Sequence, residues 1–310
     1  DALTTGGYNT AVGSSSLSAG TTAVHNTAIG YGALTADTTG GYNVAVGSGA
    51  LDANTTASNN VAAGFNALTA NTTGAHNTAV GQNALGANTT GEQSVAVGSN
   101  ALDAPTTGGS YSTAIGYNAL TAVTTATHNT GVGHSALAAN TTGSSNVAVG
   151  NGVLDANTSG ANNTAIGKNG LGANTTASNN TAVGASALEA NTTGASNSAM
   201  GEVALTTNTT GAENVAVGAN GLRYNTTGDK NTALGNKALQ ANTTADNNTA
   251  VGYQALLVNT TGSLNAALGG DTLKANTTGA QNTAVGMYAL NANTTASLNT
   301  AVGYVAMLAN

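Results

Sequence analysis

The sequence predicts an all-β protein, a parallel β-solenoid (β-roll) of 18 coils, from its period, its invariant glycine and a strand-like alternation. The pentapeptide Asn-Thr-Ala-Val-Gly at 9–13 recurs along all 310 residues in steps of 17 residues, with a single step of 18 between Ser94 and Ser112. A short fixed period is typical of a solenoid, in which each repeat is one turn of chain that buries its apolar side against its neighbours.

The consensus of one coil is Asn-Thr-Ala-Val-Gly-x-x-Ala-Leu-x-Ala-Asn-Thr-Thr-Gly-x-x, and we number the coil positions from its first Asn. Positions two to four alternate Thr, Ala and Val, which predicts a strand with Thr and Val on one face and Ala on the other. Position five is Gly in every coil, so we expect a positive φ or a close backbone approach there. The strand should therefore end at this Gly.

We expect a second short strand around Ala33 and Leu34 and at the equivalent residues of other coils. Leu occupies position nine in 17 coils and Met307 occupies it in the last, which predicts a ladder of Leu side chains. The Thr-Thr pair that follows should place one hydroxyl in the stack and the other outside. Asn at position one should point inward and bond the coils above and below, or cap a turn.

Composition excludes several functional classes. Only 5% of the residues are charged and the net charge is -7, which does not fit nucleic-acid binding. The chain has no Cys, its four His are scattered, and no apolar run is long enough to insert into a membrane. No leader segment is evident. We expect no cofactor, no metal site and no catalytic site. The regular period argues against a disordered low-complexity chain.

The unbroken period predicts one repeat domain over 1–310. The single extra residue falls near 105–111, next to Pro105. Because the repeat pattern resumes at Thr106 and Ile115, we expect a local bulge at a corner and no break in the stack.

The small core of each coil predicts association of several chains. Two of the roughly four apolar side chains in a coil are Ala, which contribute little burial energy. If Ala fills the interior, the larger side chains at position four form an exposed stripe, which is typical of an interface. We expect a parallel homotrimer joined through Val12, Ile29, Val46, Val80, Val149, Ile166, Val183, Val217, Val251 and Val285.

The repeated Asn-Thr-Ala-Val-Gly-x-x-Ala-Leu-x-Ala pattern resembles the head repeats of trimeric autotransporter adhesins, which form a left-handed parallel β-roll trimer. It is also similar to the repeats of phage tail-fibre and bacterial surface-fibre proteins that end in a self-cleaving intramolecular chaperone. The resemblance covers all 18 coils, although this repeat has about three extra residues at its Asn-Thr-Thr corner. It implies a trimeric extracellular fibre on a cell surface or a virion.

Thirteen Asn-x-Ser/Thr sequons recur at position twelve and leave two interpretations open, N-glycosylation and simple turn chemistry. Asp37, Pro105 and Val123 at the same position show that Asn is replaceable there. The candidate glycosylation sites are Asn54, Asn71, Asn88, Asn140, Asn157, Asn174, Asn191, Asn208, Asn225, Asn242, Asn259, Asn276 and Asn293.

We therefore expect a structural fibre, an adhesin shaft or head, that mediates extracellular attachment. Its partners would be copies of itself and an unknown cell-surface or glycan receptor, with no nucleic acid. One alternative is a self-assembling extracellular filament, because residues 1–3 occupy the same coil positions as residues 308–310. A third hypothesis is ice binding through a Thr array, which the lack of a Thr-x-Thr pattern weakens.

Overall fold

A computed structural model describes residues 5–104 and 110–308 of the chain. Within them, every coil contributes one three-residue strand and none contributes a helix. The chain divides into two compact units, Asp1–Ser159 and Gly160–Asn310. The prediction of an all-β parallel β-solenoid is confirmed, with about 17 full coils between the first and the last described strand. The prediction of a single domain stays a prediction.

Among the described residues, each unit contains nine strands. In the first unit they are β1 (Thr10–Val12), β2 (Thr27–Ile29), β3 (Val44–Val46), β4 (Val61–Ala63), β5 (Thr78–Val80), β6 (Val95–Val97), β7 (Thr113–Ile115), β8 (Thr130–Val132) and β9 (Val147–Val149). In the second unit they are β10 (Thr164–Ile166), β11 (Thr181–Val183), β12 (Ser198–Met200), β13 (Val215–Val217), β14 (Thr232–Leu234), β15 (Thr249–Val251), β16 (Ala266–Leu268), β17 (Thr283–Val285) and β18 (Thr300–Val302).

Within each unit, every strand pairs in parallel with the equivalent strand of the next coil. Thr10 lies opposite Thr27 and Ala11 opposite Ala28, and this register is kept in the later coils. The Ala in the middle of the strand points inward and is fully buried in nearly all coils. The residues on either side of it point outward, as the alternation predicted.

Position five requires Gly for both of the expected reasons, a positive φ and a close approach of the backbone of the next coil. Its φ lies between +122° and +147° in every described coil, a region that side-chain-bearing residues avoid. A Cβ on Gly269 would also lie 2.7 Å from the carbonyl carbon of Gly286 in the next coil. The stack therefore allows no side chain at this position.

The prediction of a second strand around Ala33 and Leu34 is wrong. Leu34 has a φ of +53°, in the left-handed region, and residues 31–36 form turns. Ala33 and Leu34 are both fully buried, whereas successive residues of a strand point to opposite faces. The left-handed conformation directs two adjacent side chains into the core. The expected ladder of buried Leu side chains is confirmed, for example at Leu34, Leu51 and Leu68.

Asparagine forms two buried columns inside the coils. At position one, the Asn26 Oδ1 accepts a hydrogen bond from the Asn43 backbone N–H at 2.8 Å, and the Asn26 Nδ2 donates to the Gly40 carbonyl at 2.8 Å. At position twelve, the Asn71 Nδ2 donates to the Asn54 Oδ1 at 3.2 Å and to the Gly74 carbonyl at 2.9 Å. The inward asparagine ladder at position one is confirmed, and position twelve forms a second one.

The Thr-Thr corner also behaves as predicted. The Thr38 Oγ1 donates to the Thr55 carbonyl of the next coil at 3.0 Å, while the neighbouring Thr39 is exposed. The stack continues across the 18-residue step, since Val95 of β6 pairs in register with Thr113 of β7. Pro105, Thr106 and the expected bulge lie outside the described residues, as do residues 1–4, 309 and 310.

Candidate interaction surface

The outward side chains of the strands form a face in each unit that we call the outer strand face, made of the first and third residues of every strand. None of the strands in the described residues 5–104 and 110–308 contains a charged residue. Ile29 in the first unit is 40% exposed and Ile166 in the second is 42% exposed. Exposed aliphatic side chains that repeat at a fixed position are unusual on a soluble surface and are typical of an interaction site.

All ten residues of the predicted trimer interface lie on the outer strand face, at the third residue of their strands. Val12, Ile29, Val46, Val80 and Ile166 are exposed. The half-buried members are Val149, Val183, Val217, Val251 and Val285. Within each unit, these residues are spaced by whole numbers of strands, because one coil contributes one strand.

The predicted interface omitted the first residue of each strand. This position also faces outward, and Val44, Val61, Val95 and Val215 are exposed there. The remaining strands begin with Thr in most coils. The outer strand face is therefore two side chains wide, with Thr and Val in one column and larger aliphatic residues in the other. The alternation of Thr, Ala and Val in the sequence already places both the first and the third residue of each strand on the same face.

The candidate glycosylation sites Asn54, Asn71, Asn88 and Asn140 are buried. The Asn88 Nδ2 donates to the Asn71 Oδ1 at 3.0 Å and to the Gly91 carbonyl at 3.0 Å, so both of its N–H bonds are used. A glycan would replace one of these hydrogens and would need space that the stacked coils fill. The folded structure thus favours turn chemistry over glycosylation at these residues.

Asp37 replaces Asn in the position-twelve column and is fully buried. Its carboxylate accepts hydrogen bonds from the Gly40 N–H at 3.0 Å and from the Asn54 and Asn26 side-chain amides at 3.0 and 3.2 Å. Burial outweighs these bonds and raises the pKa of Asp37 to about 6. The side chain replaces a neutral amide in the column and has no cation to compensate it among its bonded partners.

Charged and aromatic side chains elsewhere form small local groups. Lys274 pairs with Asp271 at 2.8 Å, and this contact raises the pKa of Lys274. The rings of Tyr8 and His25 stack with their centroids 4.8 Å apart, and those of His25 and Tyr42 stack with their centroids 4.9 Å apart. His25 thus lies between two tyrosine rings, and both faces of its imidazole are covered.

The titratable residues do not form a candidate metal centre in the part of the chain that the structure describes, since no three His, Asp or Glu side chains cluster there. Over the same residues, no helix has the length and hydrophobicity to cross a membrane.

Comparison with known protein families and with curated proteins finds no match to this chain. The class is therefore defined by the structure alone. The chain is a β-solenoid repeat protein, as its stacked strands, its invariant Gly and its buried columns of Leu and Asn show.

Proposed function

We propose that this chain is a structural component of an extracellular fibre that mediates attachment, and that its copies associate in parallel as a homotrimer through the outer strand face. The observation that carries the proposal is this face itself. It is uncharged, it is aliphatic or Thr-bearing in nearly every coil, and it is exposed in the isolated chain.

Periodicity argues that the partner is a second copy of the chain. The side chains of the outer strand face repeat once per coil, so a partner that contacts many of them needs the same spacing. A parallel copy has this spacing by definition, whereas an ordinary globular surface does not. A closed ring of copies would also cover the face on every chain, which favours a trimer over an open array.

The proposal includes no catalytic role. The constant or nearly constant coil positions are used in turning, stacking or burial: Gly at position five, Ala in the strand, Leu in the turn and Asn at position one. Asn at position twelve is replaced in some coils and is buried where it occurs. The variable positions lie outside, as expected of a scaffold whose surface is free to diversify. The Thr column is broken by Val44, Val61, Val95 and Val215, which does not favour ice binding.

Immunogold electron microscopy of the producing cells or virions would test the proposal. Antibodies against the purified chain should label short projections on the outer surface. Labelling of unlimited filaments would support the end-to-end filament instead. Labelling confined to the cell interior would contradict both functions.

A further inference from the structure

A polar groove of about 400 Å3 opens on the surface of the first unit and extends over the first four coils. It lies at coil positions six, seven and ten, whereas the outer strand face uses positions two and four. Its wall is formed by Tyr31, Ser48, Asp52, Asn66 and Thr69. A volume of this size is within the range of small-ligand sites.

Two successive glycines at position seven create the groove. This position has a φ near +60°, and several neighbouring coils place Asn there. Gly32 and Gly49 carry no side chain. The backbone forms the floor at Gly32, whereas the Asn66 Oδ1 lies over Gly49, 2.5 Å from the place a Cβ would take. A Cβ on Gly32 would lie 3.5 Å from the Thr35 Oγ1 and 3.8 Å from the Asp52 Oδ1, which are therefore the nearest wall atoms.

Two polar side chains of the groove, those of Asn66 and Asp52, have free hydrogen-bonding capacity, whereas the Thr35 Oγ1 donates to the Ser15 carbonyl at 3.2 Å. In the following coils the equivalent amides bond each other, with the Asn83 Nδ2 donating to the Asn100 Oδ1 at 3.2 Å and the Asn100 Nδ2 to the Asn118 Oδ1 at 3.3 Å. Within the described part of the chain, the side chains of Asn66 and Asp52 have no hydrogen-bond partner. Their amide and carboxylate are free to bind a ligand that supplies both donors and acceptors.

The chemistry of the wall matches a neutral saccharide. Sugar hydroxyls donate to a carboxylate such as Asp52, and they exchange both donor and acceptor bonds with an amide or with the Ser48 and Thr69 hydroxyls. Tyr31 is 68% exposed and offers an aromatic surface for the C–H face of a sugar ring. An anionic ligand would be repelled by Asp52 and by the net charge of -7. An apolar ligand would leave the wall groups without partners.

We propose that this groove binds a neutral oligosaccharide, with Asp52 and Asn66 bonding the sugar hydroxyls and Tyr31 packing against a ring. This inference rests on the proposed attachment function and assigns its receptor to a chemical class. The groove combines Tyr31 of one coil with Ser48 and Asp52 of the next and with Asn66 and Thr69 of the one after it, so it is a local feature of the first unit.

The test is binding of the labelled full chain to a printed array. The array carries galactose-, glucose-, mannose- and N-acetylhexosamine-terminated oligosaccharides beside sialylated and sulfated ones. We expect binding to at least one neutral oligosaccharide and none to the acidic ones. The affinity for the best neutral probe is then measured by titration calorimetry.

Four variants separate the groove from the general surface. Tyr31→Ala should weaken binding by about tenfold, and Gly32→Asn, which fills the groove with the residue common at this position, should weaken it by about tenfold or more. Tyr253→Ala and Gly152→Asn change the same coil positions in coils that do not line the groove and should leave the affinity unchanged. Circular dichroism identical to the unmodified chain verifies that each variant is folded.

The inference is overturned if no neutral oligosaccharide binds, if only acidic ones bind, or if the two control variants lose as much affinity as Tyr31→Ala and Gly32→Asn. These outcomes leave the attachment function standing when the immunogold label is on the outer surface. An interior label would reject the attachment function whatever the array shows.

Discussion

At the scale of single residues, the adjacent glycines Gly269 and Gly270 show how strictly the stack selects its backbone. Gly269 has a φ of +134°, and a Cβ there would meet the backbone of the next coil at 2.7 to 2.9 Å. A Cβ on Gly270 would have only the Tyr253 carbonyl oxygen nearby, at 3.9 Å. Two neighbours in the sequence thus have opposite tolerance for a methyl group.

We therefore expect Gly269→Ala to lower the free energy of unfolding by about 1–3 kcal/mol or more, because strained φ and steric overlap act together. Gly270→Ala is the control and should change it by less than about 0.5 kcal/mol. Chemical denaturation, monitored by circular dichroism, measures the free energy of unfolding of both variants. Equal stability of the two variants would show that position five does not approach the next coil as described.

Asp37 predicts a pH dependence of stability. Its pKa is raised from 3.8 to about 6 in the folded chain, so the folded state holds the proton to a higher pH than the unfolded state. The free energy of unfolding should fall as the pH rises from about 4 to about 6, and should stay lower above that range.

Asp37→Asn restores the amide that other coils carry at position twelve. We expect it to remove this pH dependence and to stabilise the chain by about 1–2 kcal/mol at pH 8. Glu202→Gln alters an exposed carboxylate and serves as the control. Thermal unfolding at pH 4 and pH 8 provides the comparison, and a destabilised Asp37→Asn variant at pH 8 would contradict the assignment.

At the scale of the structural elements, the turn that follows each strand carries the large core residue. Leu171 is fully buried with a φ of +51°, whereas Leu264 is 54% exposed with a φ of +63°. The two residues share their type and their left-handed backbone and differ in burial. They form a matched pair for measuring what the Leu ladder contributes.

Leu171→Ala should destabilise the chain by about 2–5 kcal/mol, because it removes buried methyl groups and leaves a cavity between coils. Leu264→Ala should change the stability by less than about 0.5 kcal/mol. Denaturant titration of the two variants is the measurement. Similar losses in both would mean that backbone conformation, and not burial, makes Leu necessary at position nine.

The strand was predictable from the sequence because steric restrictions limit which residues two of its coil positions accept. Restriction of the middle residue to Ala or Gly131 located the interior, and the constant Gly located the end of the strand. The Leu turn was not predictable in the same way. Leu seldom adopts a left-handed conformation, so adjacent Ala33 and Leu34 were interpreted as extended chain.

The groove was also missed, although its signal is present. Gly32 and Gly49 occupy a position that holds Asn in the next coils, so the sequence shows that two successive coils have no side chain there. Without the fold, nothing shows that positions six and ten form the walls beside that gap. Knowledge of the turn geometry was needed to bring Tyr31, Asp52 and Asn66 to one place.

At the scale of the whole molecule, the proposed trimer predicts that a charge on the outer strand face prevents association. Ile166→Asp places a carboxylate in the aliphatic column, where burial between copies would desolvate it. Ala185→Asp places the same group at an exposed position outside that face and is the matched control. We expect the first variant to dissociate and the second to remain associated, both with unchanged circular dichroism.

The most direct test of the proposed association is the mass of the unmodified chain in solution, measured by size-exclusion chromatography with multi-angle light scattering. A parallel homotrimer predicts a single species at three times the 29.5 kDa of one chain. The mass should not change on dilution over the micromolar range, because the aliphatic side chains of the outer strand face in both units would be buried. A stable, soluble species of 29.5 kDa would show that the outer strand face is not covered by copies of the chain, and would contradict the proposal.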